Sequence, residues 1–463
     1  MNYRPTRGAH RAAGLLAAAI VILSSQLRAE RLERPGLLLG GGAELAPSKV
    51  DVDPKLPRGA IVHSEPRPDP PRFVACSLRE PVCVQHGDGM SQNLVQAYVT
   101  ALEDAHSRLV GGMGLPAPRS DAGLGRTPGL DLYLSPDAPL DVRVVSDTGW
   151  RPSDQRSAHC RARPSRSELR RQSTLCVAEA VLLGVDAGEA PDLHRAVASY
   201  LCNSLEPAST LDIEAVDTLQ SNPQLGLARR DAAPESAGGA LLFHYVDRRL
   251  AAQGHGVLPV ALLQLSRSQT AAGQLAWNNE PDAFDVLRRA FVESEESFDD
   301  FMLSFALERA FLGSRDNGSH NPELSWMGDA GRVRFDWVLK SSSLPRRVAP
   351  RRPLEPLGSA YLWLDLDRIT LGKTLAFRAN WEIPSVFRWT LVAVDARGSI
   401  LKRYDLPYVQ NATSAERTIE DLDGAVGLLI VGINLGGVDS SHPFDPDHEP
   451  FEPHGFTVYL TEL

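Results

Sequence analysis

Residues 175–185 of the chain read LCVAEAVLLGV, a stretch in which Glu179 is the single charged residue. Apart from Cys176, Glu179 and Gly184, every residue in it is an aliphatic hydrophobe, which predicts a helix that is buried on nearly all sides. A carboxylate buried with such a helix is costly unless its pKa rises or a cationic partner compensates its charge. Glu179 is therefore the first candidate functional residue.

Secondary-structure signals extend from this helix in both directions. The segment LDLYL at 130–134 alternates as a strand, and 142–145 and 157–161 are further strand candidates, so the folded chain opens as an α/β arrangement. Apolar residues then recur at helical spacing through the middle of the chain. The predicted helices are 91–111, 175–185, 193–205, 211–220, 239–252, 258–268, 282–292 and 298–312.

The hydrophobic period changes to two after residue 321, which predicts strands rather than helices. We expect an antiparallel β-sandwich at 357–463, preceded by a Pro/Arg-rich extended connector at 344–356. The predicted fold class is α+β: an α/β-to-helical domain at 73–343 followed by the sandwich. At roughly 100–200 residues per domain, a chain of 463 residues has room for both.

The N-terminal segment has the features of an export signal. A basic start and an apolar run at 12–23 predict a signal peptide over 1–29, and the proline-rich residues 30–72 are expected to form an unstructured linker or pro-segment. These features predict a secreted or periplasmic protein without a transmembrane anchor. The net charge of −10 argues against a nucleic-acid partner.

Five cysteines in an exported chain predict disulfides. Cys76 and Cys83 lie close together around Pro81 and are expected to bridge a local loop. Cys176 and Cys202 stand at the ends of successive predicted helices that would meet if the helices pack antiparallel, which gives the second expected pair and leaves Cys160 over. Zinc ligation is the alternative, but no CxxC spacing supports it.

Residues 76–312 contain the stretch ALEDAHSRLVGGMGLPAPRSDAG at 101–123, then the strand LDLYL, and after it two successive predicted helices, 175–185 and 193–205. With these features they resemble the catalytic part of secreted bacterial zinc metalloproteases of the gluzincin kind, in which the first of the two helices is the motif helix. The resemblance implies a zincin-like fold. In such enzymes the motif helix carries HExxH, because two histidines four residues apart can both bind Zn²⁺ while the glutamate activates its water.

The zinc ligands are missing from the corresponding positions. If Glu179 takes the place of the motif glutamate, Ala178 and Leu182 occupy the two histidine positions, and neither can bind a metal. On the following helix the residue matching the third ligand is Arg195, whose guanidinium cannot coordinate zinc. A shifted register would place Glu189 or Asp192 there instead.

We expect Arg195 to be the cationic partner of Glu179, the ion pair filling the space that zinc occupies in an active relative. The alternative is that Glu179 reaches the rim of the fold or bonds to backbone. The resulting functional prediction is a pseudoenzyme without a cofactor, a monomer that binds a protein, peptide or cell-surface polymer.

Two other functions stay open. One is an active zinc metallopeptidase with non-standard ligands, for which His159, His194 and His255 are the candidates. The other is a structural component of the cell envelope.

Two side-chain groups of the predicted sandwich also invite a binding role. Four loop acids can be read as solvated carboxylates or as a calcium site. Three tryptophans at strand spacing are expected in the core rather than on a binding platform. The acids are Asp439, Asp445, Asp447 and Glu449, and the tryptophans are Trp363, Trp381 and Trp389.

Overall fold

The alternating stretch 130–134 forms the central strand of a five-stranded mixed sheet. The strands are β1 (Phe73–Cys76), β2 (Val82–His86), β3 (Leu130–Leu134), β4 (Arg143–Ser146) and β5 (Ala158–Ala162). Their order is β1-β2-β3-β5-β4; the β2-β3 and β3-β5 pairs are parallel, and both outer pairs are antiparallel. Since side chains alternate between the two faces of a strand, Leu132 and Cys160 share one face and Asp131 and His159 share the other.

The computed structural model describes most of the chain after residue 63, and its contacts divide the chain into two compact units. The first unit contains residues up to 189, 201–206 and 243–295, and the second contains 190–200, 207–242 and 296–463. The described residues are 64–148, 155–227, 234–250, 283–292, 297–321, 324, 327–328, 330–366, 374–383, 385–407, 409, 412–437 and 453–463. The predicted signal peptide, most of the predicted linker and the predicted helix at 258–268 lie outside them.

Two helices of the first unit pack against each other and against the sheet. Helix α1 (Gln92–His106) begins at Ser91, whose hydroxyl accepts from the N–H of Leu94, and α2 (Leu169–Val185) carries the stretch quoted above. The Tyr98 hydroxyl of α1 donates to Gln172 of α2 over 2.6 Å. Every residue of α2 from Arg171 onward is buried, which confirms the predicted burial of 175–185 and extends it to four polar residues before that stretch.

The structure confirms one predicted disulfide and corrects the other. Cys76 pairs with Cys83 across the β1-β2 hairpin. The predicted Cys176–Cys202 bond is wrong, since Cys176 pairs with Cys160 of β5, and Cys202 keeps a buried thiol 4.0 Å from the carbonyl oxygen of Arg171. The reason is that α2 packs against the sheet, and Cys176 of α2 lies next to Cys160 of β5 rather than next to Cys202 of the following helix.

Thiol counting tests this corrected pairing. The unreduced, denatured chain should show one reactive thiol, and the C202S variant should show none. Cys160→Ser is expected to lower the free energy of unfolding by about 3 kcal/mol, the loss for a loop of this length, and to liberate the Cys176 thiol. A chain whose single thiol survives in C202S would contradict the pairing.

Five further α-helices follow among the described residues, all within or close to the predicted ranges. They are α3 (Pro191–Leu205), α4 (Thr210–Ser221), α5 (Ala240–Leu250), α6 (Ala283–Val292) and α7 (Phe298–Arg309). Ser209 begins α4 with a capping box, its hydroxyl accepting from backbone while Asp212 accepts from the Ser209 N–H. The positions of these helices therefore agree with the segments in which apolar residues recur every 3.6 residues. No helix in the described part of the chain is long and apolar enough to span a membrane.

The C-terminal strands form two sheets around a shared core. The strands are β6 (Trp337–Lys340), β7 (Arg346–Val348), β8 (Ser359–Asp365), β9 (Leu375–Trp381), β10 (Ser385–Val394), β11 (Ile400–Asp405), β12 (Ser414–Ile419), β13 (Gly427–Gly437) and β14 (Phe456–Glu462). One sheet has the order β11-β10-β13-β8-β6 and the other β12-β9-β14-β7. All pairs are antiparallel except β6-β8.

Aromatic packing joins the two sheets. Trp389, 1% exposed, lies with its ring centroid 5.8 Å from that of Phe377 and 4.9 Å from that of Phe456 on the opposite sheet. Gly432 leaves room for this indole, because a Cβ there would lie 2.5 Å from the ring. Trp389 is therefore a core residue, as predicted, while Trp363 and Trp381 are half-buried.

Two stretches expected to lack regular structure make ordered contacts. The connector 344–356 contributes β7, which pairs with the C-terminal strand β14. Ser64, at the end of the predicted linker, forms a bridge with Ser146 of β4, and the Arg67 side chain is only 11% exposed. In both cases partners far away in sequence hold a segment whose own composition favours an extended chain.

Candidate functional site

Glu179 lies on α2 with 8% of its surface exposed, as the uniform apolar context predicts. Ala178 and Leu182, which the predicted resemblance assigns to the two histidine positions, are fully buried. Their side chains offer only carbon to their surroundings, so neither of these positions can contribute a metal ligand.

Arg195 is half-buried on α3. Glu179 belongs to the first compact unit and Arg195 to the second. Their ion pair stays a prediction, which the double-mutant cycle described below tests.

The two acids considered for a shifted register serve the packing of the helices. The Glu189 carboxylate accepts from the N–H of Ala283, 2.8 Å away at the start of α6. A negative charge at a helix N-terminus is stabilised by the helix dipole. The Asp192 carboxylate accepts from the Ser236 hydroxyl over 2.7 Å.

The candidate zinc histidines are distributed along the chain. His159 is fully buried on β5, with Nδ1 3.2 Å from Asp147 and Nε2 3.3 Å from Arg161. His194 is buried on α3, and His255 lies outside the described residues, as do the four acids of the predicted calcium loop. Across the described ranges, no group of three or more His, Cys, Asp or Glu side chains could hold a metal ion.

A buried charge cluster lies elsewhere, around Arg67. We call Asp121, Asp131 and Asp147 the acidic pocket; their side chains are at most 4% exposed. Arg67 Nε and one terminal nitrogen contact both oxygens of Asp147 at 2.7 and 2.9 Å. Its other contacts are to Asp131 at 2.5 Å and to Asp121 at 2.9 Å. One guanidinium thus neutralises part of the charge of three buried carboxylates.

The pKa values of Asp131, Asp147 and Arg67 depart from their ordinary values in different directions. Burial raises the pKa of Asp131 to about 6, although Gln85 and Arg67 oppose this. Burial would also raise the pKa of Asp147, but hydrogen bonds from His159 and Arg67 outweigh it and hold that pKa well below its ordinary value. For Arg67, burial disfavours the charge, yet contacts with Asp147 raise its pKa above the ordinary value. The Arg67–Asp147 pair is therefore ionised at neutral pH.

The pH dependence of an Asp131→Asn variant tests this difference. Because folding raises the pKa of Asp131 from 3.8 to about 6, the folded chain binds more protons in that window, and stability falls as the pH rises through it. The unfolding free energy of the parent minus that of D131N should therefore drop by about 2–3 kcal/mol between pH 4 and 6, measured by urea unfolding.

Asp147→Asn is the matched control. The pKa of the Asp147 carboxyl in the folded chain lies below the ordinary value, so Asp147 loses its contribution to stability only as the pH falls below about 4. The difference in unfolding free energy between the parent and D147N should therefore stay level between pH 4.5 and 6. A level difference for D131N as well would contradict the elevated pKa of Asp131.

Sequence reasoning missed the acidic pocket. Arg67 lies in a proline-rich stretch whose composition predicts a linker, and Asp121 and Asp147 lie in loops. One signal was present: Asp131 is a lone carboxylate within the strand LDLYL, in the same way that Glu179 is alone in its helix. Applied to 130–134, the same burial argument would have predicted a cationic partner.

A groove of about 710 Å³ between α1 and α2 is a second concave surface. Glu206 lies in it, 7% exposed, and binds Arg108 at 2.5 Å and Arg170 at 2.8 Å. Asp104, which also lines the groove, lies 3.6 Å from Arg108 and 3.5 Å from Arg170, so two acids and two bases pair with one another in this cluster.

Comparison with known proteins adds no relative: no family model matches the chain, and no curated protein matches its sequence.

Proposed function

We propose that the chain is a secreted, non-catalytic homologue of zinc metalloproteases that acts by binding a protein, a peptide or a cell-surface polymer. One observation carries the proposal. Helix α2 carries a buried glutamate, Glu179, and the two positions that the resemblance assigns to zinc-binding histidines hold Ala178 and Leu182, both fully buried.

The order of elements supports this reading. The strand LDLYL lies at the centre of a mixed sheet, α2 follows the last strand of that sheet, and α3 follows α2 directly. This is the succession that the resemblance implies: strand, motif helix, second helix. The Cys160–Cys176 disulfide joins β5 to α2 and so fixes the helix on the sheet.

The chemistry of the helix supports loss of catalysis. Hydrolysis by this class of enzyme needs a metal that polarises a carbonyl and lowers the pKa of a bound water. The carbon side chains of Ala178 and Leu182 hold no metal, and a glutamate without one has no activated water to deprotonate. The two disulfides support a location in an oxidising compartment outside the cytoplasm, which is where the proposed binding would take place.

Metal analysis of the purified chain tests the proposal. Dialysed protein should contain zinc far below one equivalent and should cleave no peptide of a mixed library, with or without added Zn²⁺. Stoichiometric zinc together with peptidase activity that a chelator abolishes would overturn the proposal in favour of an active metallopeptidase with non-standard ligands.

A double-mutant cycle tests the predicted ion pair. If Glu179 and Arg195 compensate each other, E179Q and R195Q should each destabilise the chain, and the double variant should recover about 1–3 kcal/mol of the summed loss, measured by urea unfolding. The half-exposed pair Arg378–Glu416 is the control and should show a coupling energy below about 0.5 kcal/mol. Strictly additive losses at 179 and 195 would refute the pair.

A further inference from the structure

We propose that the acidic pocket is a binding site for the arginine side chain of an extended peptide, with Arg67 of the chain itself as its present occupant. The pocket lies within the first compact unit, on the sheet face that carries Asp131 and His159. The proposal goes beyond the lost zinc site, because it uses none of the residues of α2 or α3.

The carboxylates of the pocket are held by donors other than Arg67. Asp121 accepts from the N–H groups of Gly123 and Gly125 at 2.8 and 2.9 Å. Asp131 accepts from Gln85 Nε2 at 2.9 Å, and Asp147 lies 3.2 Å from His159 Nδ1. Each acid therefore has at least one hydrogen-bond partner other than the guanidinium. Partners of this kind restrict the carboxylates and lower the cost of ordering the pocket when a cation binds.

The occupant is held in the way that proteins hold extended peptides. The N–H of Glu65 donates to the carbonyl oxygen of Ser146 on the edge strand β4, and the carbonyl oxygen of Pro66 accepts from Arg161 at 2.5 Å. Main-chain bonds to a sheet edge supply affinity without regard to sequence, and a side-chain pocket adds specificity. Here that pocket receives residue 67.

The pocket geometry selects arginine over lysine. Two guanidinium nitrogens of Arg67 contact the two oxygens of Asp147, and a third contacts Asp131. This planar fork cannot be reproduced by an ammonium group, which is a point charge. Gln85, 1% exposed, also holds a buried Oε1 that has no hydrogen-bond partner among the described residues, so one further acceptor stands beside Asp131.

The tethered segment competes with any peptide in solution. Because Arg67 belongs to the same chain, its effective concentration at the pocket is high, on the order of millimolar for a short flexible tether. A peptide in trans therefore competes with the segment at 64–72, and removing the Arg67 side chain weakens this competition at the pocket. Binding of a peptide to the pocket can therefore be tested in a variant that lacks the Arg67 side chain.

The experiment uses the full-length Arg67→Ala variant and two synthetic hexapeptides. The first is acetyl-SEPRPD-amide, the sequence of residues 64–69, and the second replaces its arginine with citrulline, which is neutral and nearly isosteric. By titration calorimetry, R67A should bind the arginine peptide at least about tenfold more tightly than the citrulline peptide. The parent chain should bind the arginine peptide at least about tenfold more weakly than R67A does.

The Arg67→Lys variant keeps a charge in the pocket and guards against misfolding of R67A. Its affinity for the arginine peptide should lie between those of R67A and the parent. Equal binding of the arginine and citrulline peptides, or no binding by folded R67A or R67K, would overturn the proposal. Equal affinity of parent and R67A would also overturn it, since it would place the peptide outside the pocket.

Discussion

Replacing Arg67 by alanine is expected to lower the free energy of unfolding by about 3–5 kcal/mol, since the change leaves buried carboxylates without their cation. The guanidinium contacts all three acids of the pocket, whose side chains are 1%, 0% and 4% exposed. Arg161, which lies 3.3 Å from His159, is engaged with Pro66 and Glu65 and so does not take the place of Arg67. Urea unfolding at pH 7, followed by circular dichroism, measures the loss.

Arginine 72 provides the matched control. It lies five residues further along the same segment and faces Asp88 at 3.3 Å, but both side chains are more than two-thirds exposed. R72A should therefore change the unfolding free energy by less than about 1 kcal/mol. Equal losses in R67A and R72A would show that the segment, and not the buried charge cluster, determines the stability.

The sequence predicted elements that carry their own local pattern. Helices α1 and α2 are visible in the spacing and density of apolar residues, and β3 in the alternation of LDLYL. In each case the signal lies in the element itself, within 15, 17 and 5 consecutive residues for α1, α2 and β3. The sandwich strands followed in the same way from the change of period.

What the sequence could not show depends on contacts between distant residues. The Cys160–Cys176 bond requires that α2 pack on β5 with its cysteine toward the sheet, which no local spacing encodes. The strand β7 exists because β14, more than a hundred residues later, pairs with it. Arg67 likewise is ordered by acids 54 to 80 residues away (121 − 67 and 147 − 67). A proline-rich composition indicates only that the isolated segment prefers an extended chain without regular structure. Contacts with residues far away in sequence override that preference.

If α2 is a metalloprotease motif helix that has lost its ligands, as we propose, introducing two histidines at the assigned positions is the most direct test. The double variant A178H/L182H places two histidines four residues apart with Glu179 in its motif position. Two such imidazoles on one helix face chelate Zn²⁺ or Co²⁺. The variant V177H/V181H has the same spacing and the same burial on another face, so it matches the cost of introducing two buried histidines.

The measurement is the metal-dependent shift in the urea midpoint, together with a Co²⁺ titration followed by visible absorption. The account predicts that A178H/L182H binds Co²⁺ about 100-fold or more tighter than V177H/V181H, equivalent to about 2.8 kcal/mol, and that metal stabilises only the former. Equal metal affinity in the two variants, or an A178H/L182H chain that metal neither stabilises nor helps to fold, would contradict the claim that this helix descends from a zinc site.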